Sequence, residues 1–187
     1  DRLALPTTGA AYSAAGDLNR DGYVDLVVPS EIEYDEASDN QDGTKVTIFW
    51  GSETGPVDTE RSTLAAHNPK SVAIEDINGD SHPDLLVLCD ADGNDETASR
   101  IYWGPFSRNP QAEQLEPTLL QTGAARSSAI ADFNNDGDLD IAISSSDDDD
   151  DNIQTVVIYI NWGPETSWSA TPLKKMANPW GMDASDL

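Results

Sequence analysis

The sequence predicts an all-β repeat array of four-stranded units, and three observations carry that expectation. A nine-residue pattern dense in oxygen side chains occurs three times, starting at residues 17, 76 and 132. A β-type run ending in Trp-Gly keeps the same rhythm, at Trp50-Gly51, Trp103-Gly104 and Trp162-Gly163. No long window carries helical periodicity, while short apolar runs alternate with turn residues throughout. Spacings of 59 and 56 residues between the patterns, with short strands inside them, point to a propeller or another repeat array.

Taken in chain order, Leu3 to Thr7 reads as a closing strand D ahead of the first pattern. Thr8, Gly9, Ala10 and Ala11 mark the approach to that pattern, which runs from Asp17 to Asp25. Strand B leaves it through Leu26, Val27 and Val28. An acidic run from Glu31 to Asp42 follows, and strand C runs from Val46 to Trp50. The second unit opens at Asn68-Pro69. Its strand A is Ser71 to Glu75, its oxygen-rich loop Asp76 to Asp84, and its strand B Asp84 to Cys89. An acidic run from Asp90 to Glu96 precedes strand C at Ile101 to Trp103, and Pro117 to Gln121 is strand D. The third unit opens at Thr122, Gly123, Ala124 and Ala125. It repeats the order through Asp132 to Asp140, Ile141 to Ile143, an acidic run at Asp147 to Asp151, and Val157 to Trp162. Asn178-Pro179 lies eight residues before Asp186, as Asn68-Pro69 lies eight before Asp76, so Asp186 and Leu187 read as the start of a fourth unit.

Four antiparallel strands per unit match one blade of a β-propeller. The expectation is one repeat array over 1–187, with repeats at about 9–67, 68–122 and 123–177 and the start of a fourth at 178–187. That is about three blades plus a partial strand set at each end. Propellers close with about four to eight blades. The chain is therefore expected to be a piece of a longer protein that supplies the remaining blades, or an open array that pairs with another copy.

The repeated pattern has the chemistry of a cation cage. Positions 1, 3, 5 and 9 are Asp17, Asn19, Asp21 and Asp25 in the first copy. They are Asp76, Asn78, Asp80 and Asp84 in the second, and Asp132, Asn134, Asp136 and Asp140 in the third. Hard oxygen ligands at alternate positions of a tight turn can aim at one point, and about six or seven oxygens suit Ca2+ better than the strict octahedron of Mg2+. About three sites are expected. An EF-hand is excluded, because position 12 of each copy is Val28, Val87 or Ile143 instead of a bidentate Glu, and the flanks are strands. Asp-Asn-Gly clusters also form ordinary turns without a metal. Three copies in register favour the cage.

Composition narrows the function further. The 35 acidic and 10 basic residues give a formal charge of −25, which disfavours nucleic acid and anionic lipid as partners. Most of the acids sit in the three cages and the three acidic runs, so an evenly solvated surface is not their whole account. For the three runs solubility and salt adaptation are the favoured reading, and a face recognising cations or basic ligands is the alternative. No apolar stretch reaches membrane-spanning length, and no membrane insertion is expected. The single cysteine, Cys89, ends an apolar run and reads as a buried thiol. His67 and His82 are isolated in sequence and suggest neither a zinc site nor a catalytic triad. No nucleophile with a base, phosphate loop or dinucleotide fingerprint is present, so the chain does not read as an enzyme. The Trp of each Trp-Gly pair is expected to pack between blades and its Gly to let the chain turn. Trp168 and Trp180 break the repeat and are candidates for a surface role.

With these residues in place, the pattern D-x-N-x-D-G-x-x-D before an apolar strand, joined to Trp-Gly at the end of strand C, resembles the FG-GAP and VCBS repeats. Those repeats occur in integrin alpha-subunit propellers and in bacterial surface and secreted proteins. The resemblance implies a calcium loop between strands A and B of each blade, with position 7 adding a backbone carbonyl: Tyr23, His82 and Asp138. The second copy departs from the pattern, because Ser81 stands where position 6 has Gly. The implied role is an extracellular, secreted or cell-surface module for adhesion or recognition, with a protein or glycan partner. The alternatives are a lectin-like propeller and a non-catalytic propeller portion of a secreted polysaccharide-active enzyme.

Overall fold

The computed structural model describes residues 4–5, 7, 12–30, 45–90, 98–108, 115–147, 155–161 and 170–177. Among them are twelve strands and no helix. The first sheet takes β1 (Ala14–Gly16), β2 (Asp25–Ser30), β3 (Lys45–Phe49) and β4 (Arg61–Ala65) in that order. The second takes β5 (Pro69–Glu75), β6 (Asp84–Cys89), β7 (Ala98–Tyr102) and β8 (Thr118–Gln121). The third takes β9 (Ala124–Ala131), β10 (Asp140–Asp147), β11 (Thr155–Asn161) and β12 (Ala170–Ala177). Every pairing between neighbouring strands is antiparallel. Each repeat therefore builds its own four-stranded meander, as expected of propeller-like blades. Of the strand expected at Leu3 to Thr7, Ala4, Leu5 and Thr7 carry no strand. Its other residues, and the start of the fourth unit, lie outside the described residues.

The blades stack through their first strands: β1 and β2 pack against β5, and β5 and β6 against β9. The core accordingly lies in two seams. Leu18, Val27, Val46, Ile48, Trp50 and Leu64 of the first repeat meet Val72, Leu85, Val87, Cys89, Tyr102 and Phe106 of the second. Ile77, Leu86, Leu88, Ile101 and Leu120 of the second repeat meet Ala125, Ile141 and Ile143 of the third. Strand β6 explains how one blade serves both seams. Successive side chains of a strand point to opposite faces. Leu85, Val87 and Cys89 thus enter the first seam while Leu86 and Leu88 enter the second. All six residues of β6 are buried, which is why its sequence is an apolar run with no polar alternation.

The seams carry polar ties as well. Tyr102 reaches across the first seam and donates its hydroxyl proton to the Ala65 carbonyl. Burial pushes the Tyr102 phenol up to about 12. Asp90, itself mostly buried, pairs with Arg126 of β9 at 2.9 Å and with Lys70 of β5 at 3.6 Å. The Cys89 thiol is fully buried, as expected, and burial pushes its pKa up despite a hydrogen bond from Arg100 Nη1 at 3.2 Å.

Candidate metal centres

All three oxygen-rich loops lie between the first and second strands of a blade: β1 to β2, β5 to β6 and β9 to β10. Each folds by one local scheme, in which carboxylate and amide oxygens accept from backbone N–H groups a few residues ahead. In the first loop, Asp17 Oδ1 accepts from the Asp21 amide at 3.0 Å and Oδ2 from Gly22 at 2.9 Å. Asn19 Oδ1 accepts from the Asp21 amide at 3.1 Å, and Asp21 Oδ1 from Tyr23 at 3.0 Å. The third loop repeats this with Asp132 serving Asp136 and Gly137, Asn134 serving Asp136, and Asp136 serving Asp138. In each loop the Asn side-chain amide also donates to the position-5 carboxylate: Asn19 to Asp21, Asn78 to Asp80 and Asn134 to Asp136.

This winding needs two left-handed residues per loop. Position 6 has φ of +90° at Gly22, +72° at Ser81 and +99° at Gly137. Position 4 has +59° at Arg20, +71° at Gly79 and +61° at Asn135. The departure from glycine at position 6 of the second loop therefore has a cost, since Ser81 adopts the left-handed conformation against its Cβ. The requirement at position 4 is a finding of the structure. Glycine meets it at no steric cost in the second loop.

Position 9 is set apart from the rest. Asp25, Asp84 and Asp140 are fully buried. Asp25 Oδ2 accepts from the Leu18 amide at 2.8 Å and Oδ1 from the Gly51 amide at 2.7 Å. Asp84 does the same with Ile77 at 2.9 Å and Gly104 at 2.8 Å, and Asp140 Oδ2 accepts from Phe133 at 2.9 Å. This residue therefore joins the loop to itself at position 2 and, in the first two blades, to the Trp-Gly corner at the end of strand C. Burial pushes the Asp25 and Asp84 carboxyls up, and the amides they accept from pull them partly back.

The Trp-Gly corner is half of this device. Trp50 is buried in the first seam and Trp103 packs against the second, as expected. Their indole N–H groups donate to Ser62 at 2.9 Å and Thr118 at 2.8 Å on the fourth strand of the same blade. The glycine's role differs from the turn expected of it. A Cβ on Gly51 would lie 2.7 Å from the Val24 carbonyl carbon and closer to its oxygen; one on Gly104 would lie 2.6 Å from the Pro83 oxygen. Position 8 of the first two loops presses on the corner, and only a residue without Cβ lets the amide reach the buried carboxylate. Trp162-Gly163 lies outside the described residues.

The loops also touch one another. Arg20 Nη1 of the first loop donates to the Ser81 carbonyl of the second at 2.8 Å. Arg108, which follows the Gly104 corner of the second blade, reaches back to the first. Its Nε and Nη2 donate to Asp21 Oδ2 at 3.0 and 2.6 Å, its Nη1 to Glu60 at 2.6 Å, and its Nη2 also to the Gly51 carbonyl. Partial desolvation works to raise the Asp21 carboxyl, but the Arg108 hydrogen bond, helped by the Tyr23 amide and Asn19, leaves it below its usual value. His82 is not isolated: its Nδ1 lies 3.3 Å from Asp80 Oδ1, and its backbone amide is the first cause of the lowered Asp80 pKa. No sequence pattern joins Asp21 to Arg108, because the pair depends on which blade lies beside which.

Among the described residues, no three His, Cys, Asp or Glu side chains gather closely enough to hold a metal ion. In each loop Asn fills one inner position, and position 9 turns its carboxylate to buried amides. The donor set nonetheless fits a hard cation. Asp76 Oδ1 is buried without a hydrogen-bond partner, and every carboxylate oxygen that accepts one N–H keeps a second lone pair. The acidic run from Glu31 to Asp42, residues 91–96 of the run that Asp90 opens, most of Asp147 to Asp151, and Trp168 and Trp180 lie outside the described residues.

Residues 76–143 match the model of the FG-GAP-like repeat. Over 130 residues the chain is 32% identical to integrin alpha-IIb of Mus musculus, a match that covers 63% of this chain and 12% of that protein.

Proposed function

Starting from a chain that carries FG-GAP-like repeats in a β-propeller repeat module, we propose that it is a calcium-stabilised, non-catalytic recognition module working outside the cell or at its surface. The orphaned, buried Asp76 Oδ1 carries the calcium reading, because a buried carboxylate oxygen without a partner is costly unless a cation meets it. The ion would be held by the side chains of Asp17, Asn19 and Asp21, of Asp76, Asn78 and Asp80, and of Asp132, Asn134 and Asp136. The carbonyls of Tyr23, His82 and Asp138 and the carboxylates of Asp25, Asp84 and Asp140 would complete the sets. A bound divalent ion supplies charge neutralisation between carboxylates. The chain's own residues supply the winding that keeps those carboxylates together.

The extracellular and adhesive part of the reading rests on the similarity to an integrin alpha subunit and on the weak affinity expected of such loops. The partner would be a protein or a glycan, and the remaining blades would come from a longer chain or a second copy. Among the described residues no helix is long and apolar enough to cross a membrane. Extracellular calcium modules have dissociation constants of about 10⁻⁴–10⁻³ M. At millimolar calcium three such sites add roughly 1–4 kcal/mol by mass action, which raises Tm by roughly 3–15 °C for a chain of this size. The test is thermal unfolding in millimolar calcium against chelator, with Asp136→Asn beside the parent. The parent should gain stability from calcium, and the variant should lose about a third of that gain. Identical melting with calcium and chelator in the parent overturns the reading.

A further inference from the structure

We propose that Arg108 is a tethered competitor for the first metal loop, so that calcium entry there and release of the second blade's arginine are coupled. The inference rests on the calcium reading above and adds an inequality between sites. Asp21 Oδ2 accepts two N–H groups from Arg108, at 3.0 and 2.6 Å, besides one from Asn19 at 2.9 Å. Its Oδ1 accepts from the Tyr23 amide. A guanidinium that grips one carboxylate oxygen with two donors is a strong, charge-assisted contact. It also places a positive charge where a divalent cation would have to approach, and like charges at such separations repel.

Three observations make Arg108 a built feature of the first site. Phe106, two residues earlier, is buried in the first seam and fixes where the segment runs. Glu60 and the Gly51 carbonyl hold the same guanidinium, so it is gripped from the first blade at three points. The other strand-C corners carry no basic residue at this step: five residues after Trp103 is Arg108, whereas five after Trp50 is Gly55 and five after Trp162 is Ser167. In the third loop, Asp136 Oδ2 accepts from Asn134 at 2.7 Å, and among the described residues no basic side chain pairs with it. The two loops share one winding and differ at this contact. The first should therefore bind calcium more weakly than the third.

The position-6 glycines report the two sites separately. Calcium is titrated into the ¹⁵N-labelled 187-residue chain while the Gly22 and Gly137 amide resonances are followed. Gly137 should reach its midpoint at lower calcium than Gly22. In Arg108→Gln the Gly22 midpoint should fall about five- to tenfold, the scale of an exposed ion pair acting on a doubly charged ligand, while that of Gly137 stays put. Arg108→Lys, which keeps the charge and loses the fork, should fall between. In the unmodified protein the Arg108 Nε–H resonance should lose its hydrogen-bonded shift as Gly22 titrates, a readout that needs no variant. Response of both glycines with the Gly22 midpoint unmoved in Arg108→Gln, or an Arg108 Nε–H signal indifferent to calcium, overturns this proposal and leaves the calcium reading standing. If neither glycine responds up to about 10 mM calcium, well above the range of extracellular modules, both readings fall.

Discussion

Replacing Gly51 by Ala tests the joint between the metal loop and the end of strand C. The added methyl would stand 2.7 Å from the Val24 carbonyl carbon and 3.0 Å from Tyr23 Cβ. Carbon atoms in contact settle at about 3.5–4.0 Å, so the corner and the loop must part by roughly an ångström. That shift is more than the 2.7 Å bond from the Gly51 amide to buried Asp25 can survive. Forced overpacking costs about 1–3 kcal/mol, and losing a hydrogen bond to a buried carboxylate about 1.5–3 kcal/mol. The expected loss is roughly 3–5 kcal/mol, a large share of a typical total of about 5–15 kcal/mol. Gly55→Ala is the control. Its φ is +96°, but nothing lies within 4 Å of its Cβ position, so only the left-handed strain of about 1–2 kcal/mol applies. Urea unfolding in chelator measures both without any contribution from calcium. With m of about 2–3 kcal/mol per molar, Gly51→Ala should lower the midpoint by about 1–2 M and Gly55→Ala by less than half as much. Equal losses in the two variants would refute the close-approach argument.

Two other outcomes follow from the geometry. Ser81→Gly should gain about 0.5–1 kcal/mol in the same assay, since it removes a left-handed Cβ at φ +72° and gives back part of the gain as unfolded-chain entropy; a loss of stability would show that Ser81 is not strained. Tyr102, raised to about 12 from 10.0, contributes stability that is full below pH 10 and disappears as pH rises through about 12. Alkaline unfolding of the parent should therefore cost roughly 2–3 kcal/mol over that window, and Tyr102→Phe should flatten it; an unchanged profile would show that another group governs alkaline unfolding.

The strands and loops were legible because their causes are local. Asp84 to Cys89 reads as a strand from its apolar run, and β6 has the same ends. The oxygen spacing placed the three loops between first and second strands, and the missing glycine at Ser81 flagged a real left-handed position. Position 4 was not legible, since Arg20 gives no sign of φ +59°. The joint between Asp25 and Gly51, 26 residues apart, and the one between Asp84 and Gly104, 20 apart, escaped for a different reason. Their spacings differ because the intervening loops differ in length, so no fixed pattern links them. The recurring glycine after each Trp was the available clue, and reading it as a turn residue hid its role as a point of contact. Arg108 and Asp21 sit 87 residues apart on different blades, and only the stacking of blades brings them together.

Position 2 of the first two loops has a double attachment. The Leu18 and Ile77 amides fasten to the buried carboxylates of Asp25 and Asp84, while their side chains plug the first and second seams. Phe133, their counterpart in the third loop, keeps the amide bond to Asp140 but is itself 42% exposed. The loop is thus a spacer as well as a binding element: its winding sets how far the plug projects and so the pitch at which the next blade seats. A change in the loop that rotated this residue by a fraction of a turn would alter the angle between blades while leaving each sheet intact. Scattering profiles of loop variants would register such a change as a difference in overall curvature with no loss of strand content.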